Sequence, residues 1–555
     1  MIHLPEIRPS VLSPSGLVAV LDSAHIGDIE GAFGTISQGD TRHRGTWRAR
    51  LTTLLAIVGP GLIVMVGDND AGAFSTCSQA GQNYGTALVW TLLLLIPVLY
   101  VNQEMVLRLG AVTGVGHARL ILERFGKFWG AFSVIDLFIL NGLTIVTEFI
   151  GINLALGFLG LPRAWGILVA AGIIIAAAST GSFRRFERFS LGLCFFSLSL
   201  IPVFLMVHPP IGDIVRDLVV PSFPAGAKLS DMMLLVIAIV GTTVAPWQLF
   251  FQQSYVIDKR ITPRFMRYGK ADLVIGIAVV AIGAVAIMAF AAAAFHGTPE
   301  FGQFTDAGAV AKGLEAHAGR VAGVIFSLAL LDASIIGASA VSLSTAYAIG
   351  DVLSLRHSLH RKATDARGFY AVYAGLIAVA ASLVLFGSDA LLGLLTNAVQ
   401  ALAGVLLPSA TVFLLLLCND KAVLGPWVNG RWLNLFTGVV IWVLVMLSII
   451  LTAATVFPDM SGETIIAVLG GGSALGGIGF AVITLARKAR GAPGGQFYAD
   501  VPPRLRSIWR MPPLSELPPP NLSLAKRTWM MVLRFYLVAA VVLVAVKVVQ
   551  IAIAM

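Results

Sequence analysis

The sequence predicts an all-α polytopic membrane protein built from two inverted five-helix halves with extra C-terminal transmembrane helices. Three observations lead there. Of its 555 residues, 57% are hydrophobic and only 12% charged, with a mean hydropathy of +0.87, whereas a soluble domain carries roughly 25% charged residues. Apolar stretches near 20 residues, about the length that crosses a bilayer, recur along the chain. Basic residues gather in every second loop between them, so the net charge of +9 reflects retention on one side of a membrane rather than nucleic-acid binding.

Residues 1–48 contain scattered Pro, Gly and Ser and lack the charged-then-apolar-then-small order of a cleaved signal; they read as a flexible cytoplasmic N-terminal tail. Thirteen apolar spans follow, near 51–76, 84–109, 128–158, 163–180, 189–207, 231–257, 271–296, 319–350, 369–387, 389–418, 433–457, 462–487 and 528–552. Arg42, Arg44, Arg48 and Arg50 precede the first span, and Arg119, Arg124 and Lys127 follow the second. Arg184, Arg185 and Arg188 follow the fourth, Lys259 to Lys270 the sixth, and Arg356 to Arg367 the eighth. The alternation places the N-terminus in the cytoplasm of a protein of the plasma (inner) membrane. The first span then runs outward and the sixth inward, so residues 49–208 and 209–418 form two inverted repeats. Residues 419–487 add transmembrane helices, 488–527 form a Pro/Arg-rich cytoplasmic loop with little regular structure, and 528–555 form a last span.

Both repeats begin with an interrupted helix. The first is broken at VGDNDAGAFST (66–76), the second at GTTVAPW (241–247), where Pro246 removes a backbone donor. Breaks at matching positions of two halves point to a central transport site, and their exposed carbonyls need a cation, water or a polar substrate as partner. A charge at mid-bilayer costs about 2.5–3.5 kcal/mol on insertion scales, so Asp70 reads as a cation ligand, a role compatible with capping the second half-helix. Asp68 and Asn69 either join it or satisfy freed backbone. Thr242, Thr243 and Gln248 bring oxygens to the second break, although threonines in membrane helices usually bond their own backbone. Glu148, with Asp136, reads as a relay or as a paired structural charge. Asp332 and Gln400 are further inward-facing polar candidates, Gln400 for the metal site, although such residues more often serve as polar glue between helices. Cys77, Cys194 and Cys418 lie in apolar stretches without metal-type spacing and read as small buried hydrophobes.

With these residues in place, the chain resembles the NRAMP family of divalent-metal transporters, which implies a LeuT-type inverted repeat. The family's Asp-Pro-Gly-Asn resembles DAGA (70–73), kept in register by QAG (79–81), and its Met-Pro-His resembles APW (245–247). RLGAVTG (108–114), Gln400, LP (407–408) and NDK (419–421) are similar to other family segments. The resemblance implies a metal site in which Asp70 keeps the family carboxylate, Ala73 stands for an Asn, Ala245 for the Met, and Thr242 for the carbonyl-giving residue. Losing the thioether favours oxygen-preferring Mg²⁺ and Mn²⁺, and the two alanines are expected to enlarge the site for a partly hydrated ion. This pattern is similar to the NRAMP-related magnesium transporters. Ile145 and Trp247 stand where the resemblance implies a helix-three Asp and a helix-six His, so only Glu148 of the proton relay remains, with Gln248 and Thr243 beside it.

The expected function is therefore uptake of Mg²⁺ and Mn²⁺ by alternating access without proton coupling. The nearest rival is a proton-coupled Mn²⁺/Fe²⁺ importer. An organic-cation or amino-acid symporter on the same scaffold is less favoured, because few aromatic walls besides Trp247 surround the site. An intramembrane aspartyl protease would need two facing carboxylates sharing a proton, which Asp68, Asp136 and Asp332 are not fixed to provide. No catalytic residue, resident cofactor or nucleic-acid partner is expected; the partners are divalent metal ions and the lipid bilayer.

Overall fold

The computed structural model describes residues 19–222, 224, 227–457, 461–489, 506–520, 530–535, 538, 542 and 546, with some side chains inside 389–407, 454–456 and 480–489 left out, that of Gln400 among them. Most of the expected span 528–552 and most of 488–527 therefore lie outside the described residues.

The chain opens with a short antiparallel hairpin, β1 (Ile29–Gly31) and β2 (Gly34–Ile36), with Ile29 opposite Ile36. The first half comprises α1 (Trp47–Ile57), α2 (Pro60–Val66), α3 (Ala71–Tyr84), α4 (Val89–Thr113), α5 (His117–Phe125), α6 (Lys127–Phe158), α7 (Arg163–Ala178), α8 (Phe183–Phe196) and α9 (Leu200–Val207). A short α10 (Ile211–Val219) leads into the second half: α11 (Leu229–Thr243), α12 (Pro246–Asp258), α13 (Met266–Phe295), α14 (Ala307–Ala318), α15 (Arg320–Leu353), α16 (Arg367–Phe386) and α17 (Asp389–Cys418). After it come α18 (Lys421–Leu424), α19 (Arg431–Val456) and α20 (Gly462–Ala489). Among the described residues eight helices are long and apolar enough to cross a membrane unaided, or ten if each bent pair counts as one span. The sixteen-residue α7 is shorter, and α1 and α2 meet at 54°.

Packing follows the two halves. The interrupted first helix, α2 with α3, lies on α13, the second helix of the other half; the interrupted α11 with α12 lies on α4, the second helix of the first half. The third helices, α6 and α15, pack on one another across the pseudo-axis. This reciprocal exchange is the inverted arrangement the sequence predicts. Outward side chains such as Trp165, Leu205, Phe386 and Trp432 are exposed and apolar, a surface that suits lipid and identifies an integral membrane protein. On α10, Ile211, Val215 and Val219 share an exposed face four residues apart while Asp217 turns inward to accept from the Thr86 hydroxyl at 2.5 Å, the character of a helix lying along an interface.

The expectation of a flexible tail fails for residues 19–46. Ala19, Ile29, Ala32 and Ile36 are buried, and the hairpin lies so close to α1 that a Cβ at Gly31 would fall 1.9 Å from the Ala56 carbonyl oxygen. Polar anchors complete the attachment. The Ala32 N–H donates to Glu187 Oε2 at 2.6 Å, and Glu187 Oε1 pairs with Lys259 Nζ at 2.6 Å. Lys259 also donates to the Val58 carbonyl at 2.7 Å. Asp22 takes the Arg361 guanidinium and the His357 N–H. The described part of the Pro/Arg-rich loop docks as well: Met511 N–H donates to Val112 O, and Arg124 donates to Pro518 O.

Candidate metal centre

Two chain breaks bring charge and open backbone to the middle of the bundle. After α2, the N–H groups of Asp68 and Asn69 still reach Met65 O and Val66 O at 3.2 and 3.1 Å, and then the chain leaves the helical path. Asp70 is extended at φ −72°, ψ −175° and its Oδ1 accepts the Ala73 N–H at 3.0 Å, capping α3. An acidic side chain at that point satisfies one of the donors a helix start leaves open and suits the positive end of the helix dipole. At the other break α11 stops at Thr243, Ala245 is extended, and Pro246 opens α12.

Gln248 joins the two breaks. Its Nε2 donates to Asp68 Oδ1 and, at 3.3 Å, to the Thr243 carbonyl, while its Oε1 accepts from Gln103 Nε2 at 3.0 Å. Glu148 approaches from α6: its Oε2 accepts the Ala71 N–H at 3.1 Å, and its Oε1 has no hydrogen-bond partner. Asp68, Asn69, Asp70 and Glu148 are all buried. The helix α15 comes so close here that a Cβ at Gly337 would lie 2.9 Å from the Glu148 carboxyl and 3.0 Å from Asp70 Cβ. Only glycine permits that approach.

The remaining expected residues separate into groups. Trp247 is buried, its ring edge 3.6 Å from where a Gly67 Cβ would stand, and its carbonyl accepts from the Ser344 hydroxyl at 2.9 Å. The hydroxyls of Thr242 and Thr243 donate back to Ala238 O and Ile239 O of their own helix, the bland arrangement; the Thr242 methyl lies 3.9 Å from a Cβ built at Gly72. Ala245 contributes no polar side chain, and Gln400 has its side chain outside the described residues.

A small cavity beside the site bears on its expected size and donors. Ala73 lines, with Asp68, Asn69, Cys77 and Thr243, a cavity of about 20 Å³, room for about one water. Leu92 and Leu99 of α4 and Val280 of α13 close much of its wall, and neither Asp70 nor Ala245 lines it. The lining is also not oxygen-only, because the Cys77 thiol belongs to it. Asp332, expected to be polar glue, has neither carboxylate oxygen hydrogen-bonded. Sequence reasoning missed Gln103 and Gly337. The polar run NQE (102–104) inside an apolar span signals the first; one glycine among 57 carries no signal for the second.

Among the described residues no three His, Cys, Asp or Glu side chains group as a preformed metal site. An ion here would be held by one or two aspartates together with amide, carbonyl and water oxygens, a donor set that suits hard divalent cations.

Comparison with known proteins decides the relationship. The profile of the Nramp family, described as natural resistance-associated macrophage protein-like, matches residues 61–454. The chain belongs to the Nramp family. A divalent metal cation transporter MntH of Ralstonia nicotianae is 30% identical over 412 residues, 70% of this chain and 88% of its own length. A second, MntH 1 of Pseudomonas aeruginosa, is 29% identical over 406 residues, 69% of this chain and 88% of its own. A crystal structure of the Eremococcus coleocola manganese transporter superposes with a TM-score of 0.60 at 19% identity, covering 84% of this chain and 99% of that one. This Nramp chain therefore has the LeuT-type fold the resemblance implied, with its first and sixth helices interrupted as expected. The profile begins at the second residue of α2, so the hairpin segment of this Nramp chain lies outside the matched region.

Proposed function

We propose that this chain, a divalent metal cation transporter of the Nramp family, moves Mg²⁺ and Mn²⁺ across the plasma membrane by alternating access and without proton coupling. The observation that carries the reading is Asp70: a buried carboxylate at the break of the first helix, two residues from Asp68 and beside the broken backbone of the sixth. The relatives named as divalent metal cation transporters support it. Asp70 holds the ion, Asp68 and the Thr243 carbonyl supply further oxygens, and Gln248 releases Asp68 as the breaks rearrange. Residues 49–208 and 209–418 rock against each other, with the N-terminus cytoplasmic. No step makes or breaks a covalent bond.

Uncoupled transport rests on the surroundings of Glu148. Ile145 and Trp247, which stand where the resemblance implies the relay's other titratable groups, are buried and carry none; the carboxylate beside Glu148 is that of Asp70, the ion's own ligand. An inside-negative potential supplies about 2.3 kcal/mol per charge per 100 mV, which is enough to drive a dication inward.

The second reading, an importer that prefers transition metals and is proton-coupled, is favoured by one observation: the Cys77 sulfur lines the same small cavity as Asp68, and sulfur favours softer ions. Uptake into proteoliposomes separates the two. Mg²⁺ entry that depends on Asp70, is blocked by Mn²⁺ and leaves the internal pH unchanged supports the first reading. Mn²⁺ or Cd²⁺ entry accompanied by internal acidification, with no Mg²⁺ entry, establishes the second.

A further inference from the structure

The segment that runs into α2 gathers arginines without matching acids. Arg44 donates from Nε to the Thr53 hydroxyl at 3.0 Å and lies over the Phe265 ring, 5.0 Å from its centroid. Arg50 Nε donates to the Arg44 carbonyl at 3.1 Å, and the Arg264 guanidinium, from the turn before α13, donates to the Arg42 carbonyl at 3.4 Å. These contacts hold Arg42, Arg44, Arg50 and Arg264 in one cluster, with Arg48 exposed on the same helix as Arg50. Asp40 answers part of this charge by pairing with Arg42 and Arg44. Among the described residues, Arg48, Arg50 and Arg264 pair with no acidic side chain. Like charges held close repel, and an anion placed among them relieves the repulsion.

The same helix carries an apolar stripe. Trp47, Leu51 and Leu55 recur every four residues and so share a face of α1; all three are exposed, Trp47 by 74%. The side of α1 that carries Ala56 rests instead on the hairpin. Further along α13, against which α1 packs, Val274 and Ile275 are exposed as well.

We propose that this corner of the protein is a docking surface for an anionic phospholipid, its phosphate held by Arg48, Arg50 and Arg264 and an acyl chain lying along Trp47, Leu51 and Leu55. Charge complementarity selects the head, since the planar guanidinium fork matches phosphate oxygens. The stripe selects the source: a soluble anion would answer the arginines and leave the apolar face uncovered, whereas a lipid covers both, with tryptophan at the headgroup level it favours. Retention of basic residues on one side of a membrane needs only their number. Here hydrogen bonds draw them to one place.

Position gives the surface a consequence. The helix α1 meets α2 at 54°, and α2 leads to the break that carries Asp68 and Asp70, so a lipid on α1 bears on the arm of the first interrupted helix. The Nramp profile begins at Gly61, which leaves α1 outside the matched region. The inference goes beyond the transport reading and does not rest on it, since lipid binding is measurable with no divalent ion present.

The test is thermal unfolding of the purified full chain in neutral detergent with divalent ions chelated, titrated in turn with phosphatidylglycerol, phosphatidylcholine and inorganic phosphate at constant ionic strength. Phosphatidylglycerol is expected to raise the melting temperature, and the other two to leave it unchanged. In Arg50→Gln/Arg264→Gln the phosphatidylglycerol concentration giving half the effect is expected to rise at least about tenfold. Arg431→Gln, which removes an exposed charge at the start of α19, is expected to stay within about twofold of the wild type. Should the double variant fail to fold, Arg48→Gln keeps the test open, with an expected rise of about threefold. An unchanged half-effect concentration in the double variant, or in Arg48→Gln where that variant serves, overturns the proposal. So does an equal loss in Arg431→Gln, the sign of diffuse attraction, or an equal rise with phosphatidylcholine. Stabilisation by inorganic phosphate that matches phosphatidylglycerol also overturns it, because the ligand is then a soluble anion.

Discussion

The centre of the bundle and its N-terminal end both bury several charges, but they treat them differently. At the N-terminal end the charges are largely consumed, although Asp351 Oδ2 stays open. Asp272 accepts three N–H groups at the start of α2, from Gly59, Gly61 and Leu62, at 2.6–3.2 Å. Glu187 and Lys259 pair with side chains 0% exposed, and Asp258 is held by Tyr347, Ser358 and the Leu359 N–H at 2.5–2.8 Å. At the centre, by contrast, Glu148 keeps one oxygen without a partner, Asp332 keeps two, and Gln103 leaves its Oε1 unpaired. Satisfied buried charge locks elements together; unsatisfied buried charge is poised for a ligand. Burial alone would not tell the two regions apart. The count of open oxygens does.

The sharpest way to break this contrast is to open the locked end. Lys259→Met leaves Glu187 buried without its cation and is expected to cost about 3–5 kcal/mol, read as a fall in melting temperature, with little change in the metal concentration that half-saturates uptake in the protein that still folds. At the centre the order reverses. Asp70→Ala is expected to cut metal uptake by at least about 100-fold, beyond the 10–100-fold of outer-shell losses, while the lost cap costs only about 1 kcal/mol of stability. Equal damage to stability and uptake in both variants would erase the distinction. Gly337→Ala is a smaller perturbation at the same place: its methyl would press on Glu148 and Asp70, an overpacking that costs about 1–3 kcal/mol and is expected to slow uptake without abolishing it.

The smallest effect is one of pH, confined to the N-terminal attachment outside the spans. Burial alone would push the His357 imidazolium down, but the hydrogen bond and charge of Asp351 outweigh that and raise its pKa to about 9. Its stabilisation is therefore complete below the unfolded value near 6.5 and is lost as the pH rises through about 9. His25 acts oppositely: burial, its main influence, lowers its pKa, so stability falls as the pH drops below about 6.5. Asp22 is also driven upward by burial, but Arg361 and backbone N–H groups hold it well below the usual carboxylate range. Limited proteolysis of residues 19–46 should accelerate between pH 7 and 9 in the wild type, and the acceleration should flatten in His357→Gln; a pH-independent wild type removes His357 from the attachment.

The helices were legible because an apolar run of bilayer length can hardly be anything else, and the breaks were legible because proline, glycine and aspartate interrupt such runs for few reasons. Capping by Asp70 and the back-bonding of Thr242 and Thr243 follow from local chemistry and were readable too. The N-terminal attachment was not. Asp22 and His25 sit in a stretch that looks like tail, and their partners His357 and Arg361 lie more than 330 residues away. The size of the site was less legible for a related reason: what fills the space beside an alanine such as Ala73 is decided by neighbouring helices, here α4 and α13, which residue identity alone does not reveal. Asp332 shows the converse, since sequence exposes a charge in a helix but not the absence of a partner for it.

The start of α2 carries a further implication. Gly59 has φ +154°, where a side chain would also strike the Glu187 carboxylate. The three N–H groups on Asp272 and the Lys259 bond to Val58 lie within five residues of one another, on either side of this glycine. Bonds so tightly grouped on one short segment cannot be undone one at a time. Movement of α2 away from α13 at this end is therefore all-or-none, a toggle with two resting positions rather than a valve with a range of apertures. A chain weakened there should change how often this end opens, not how far.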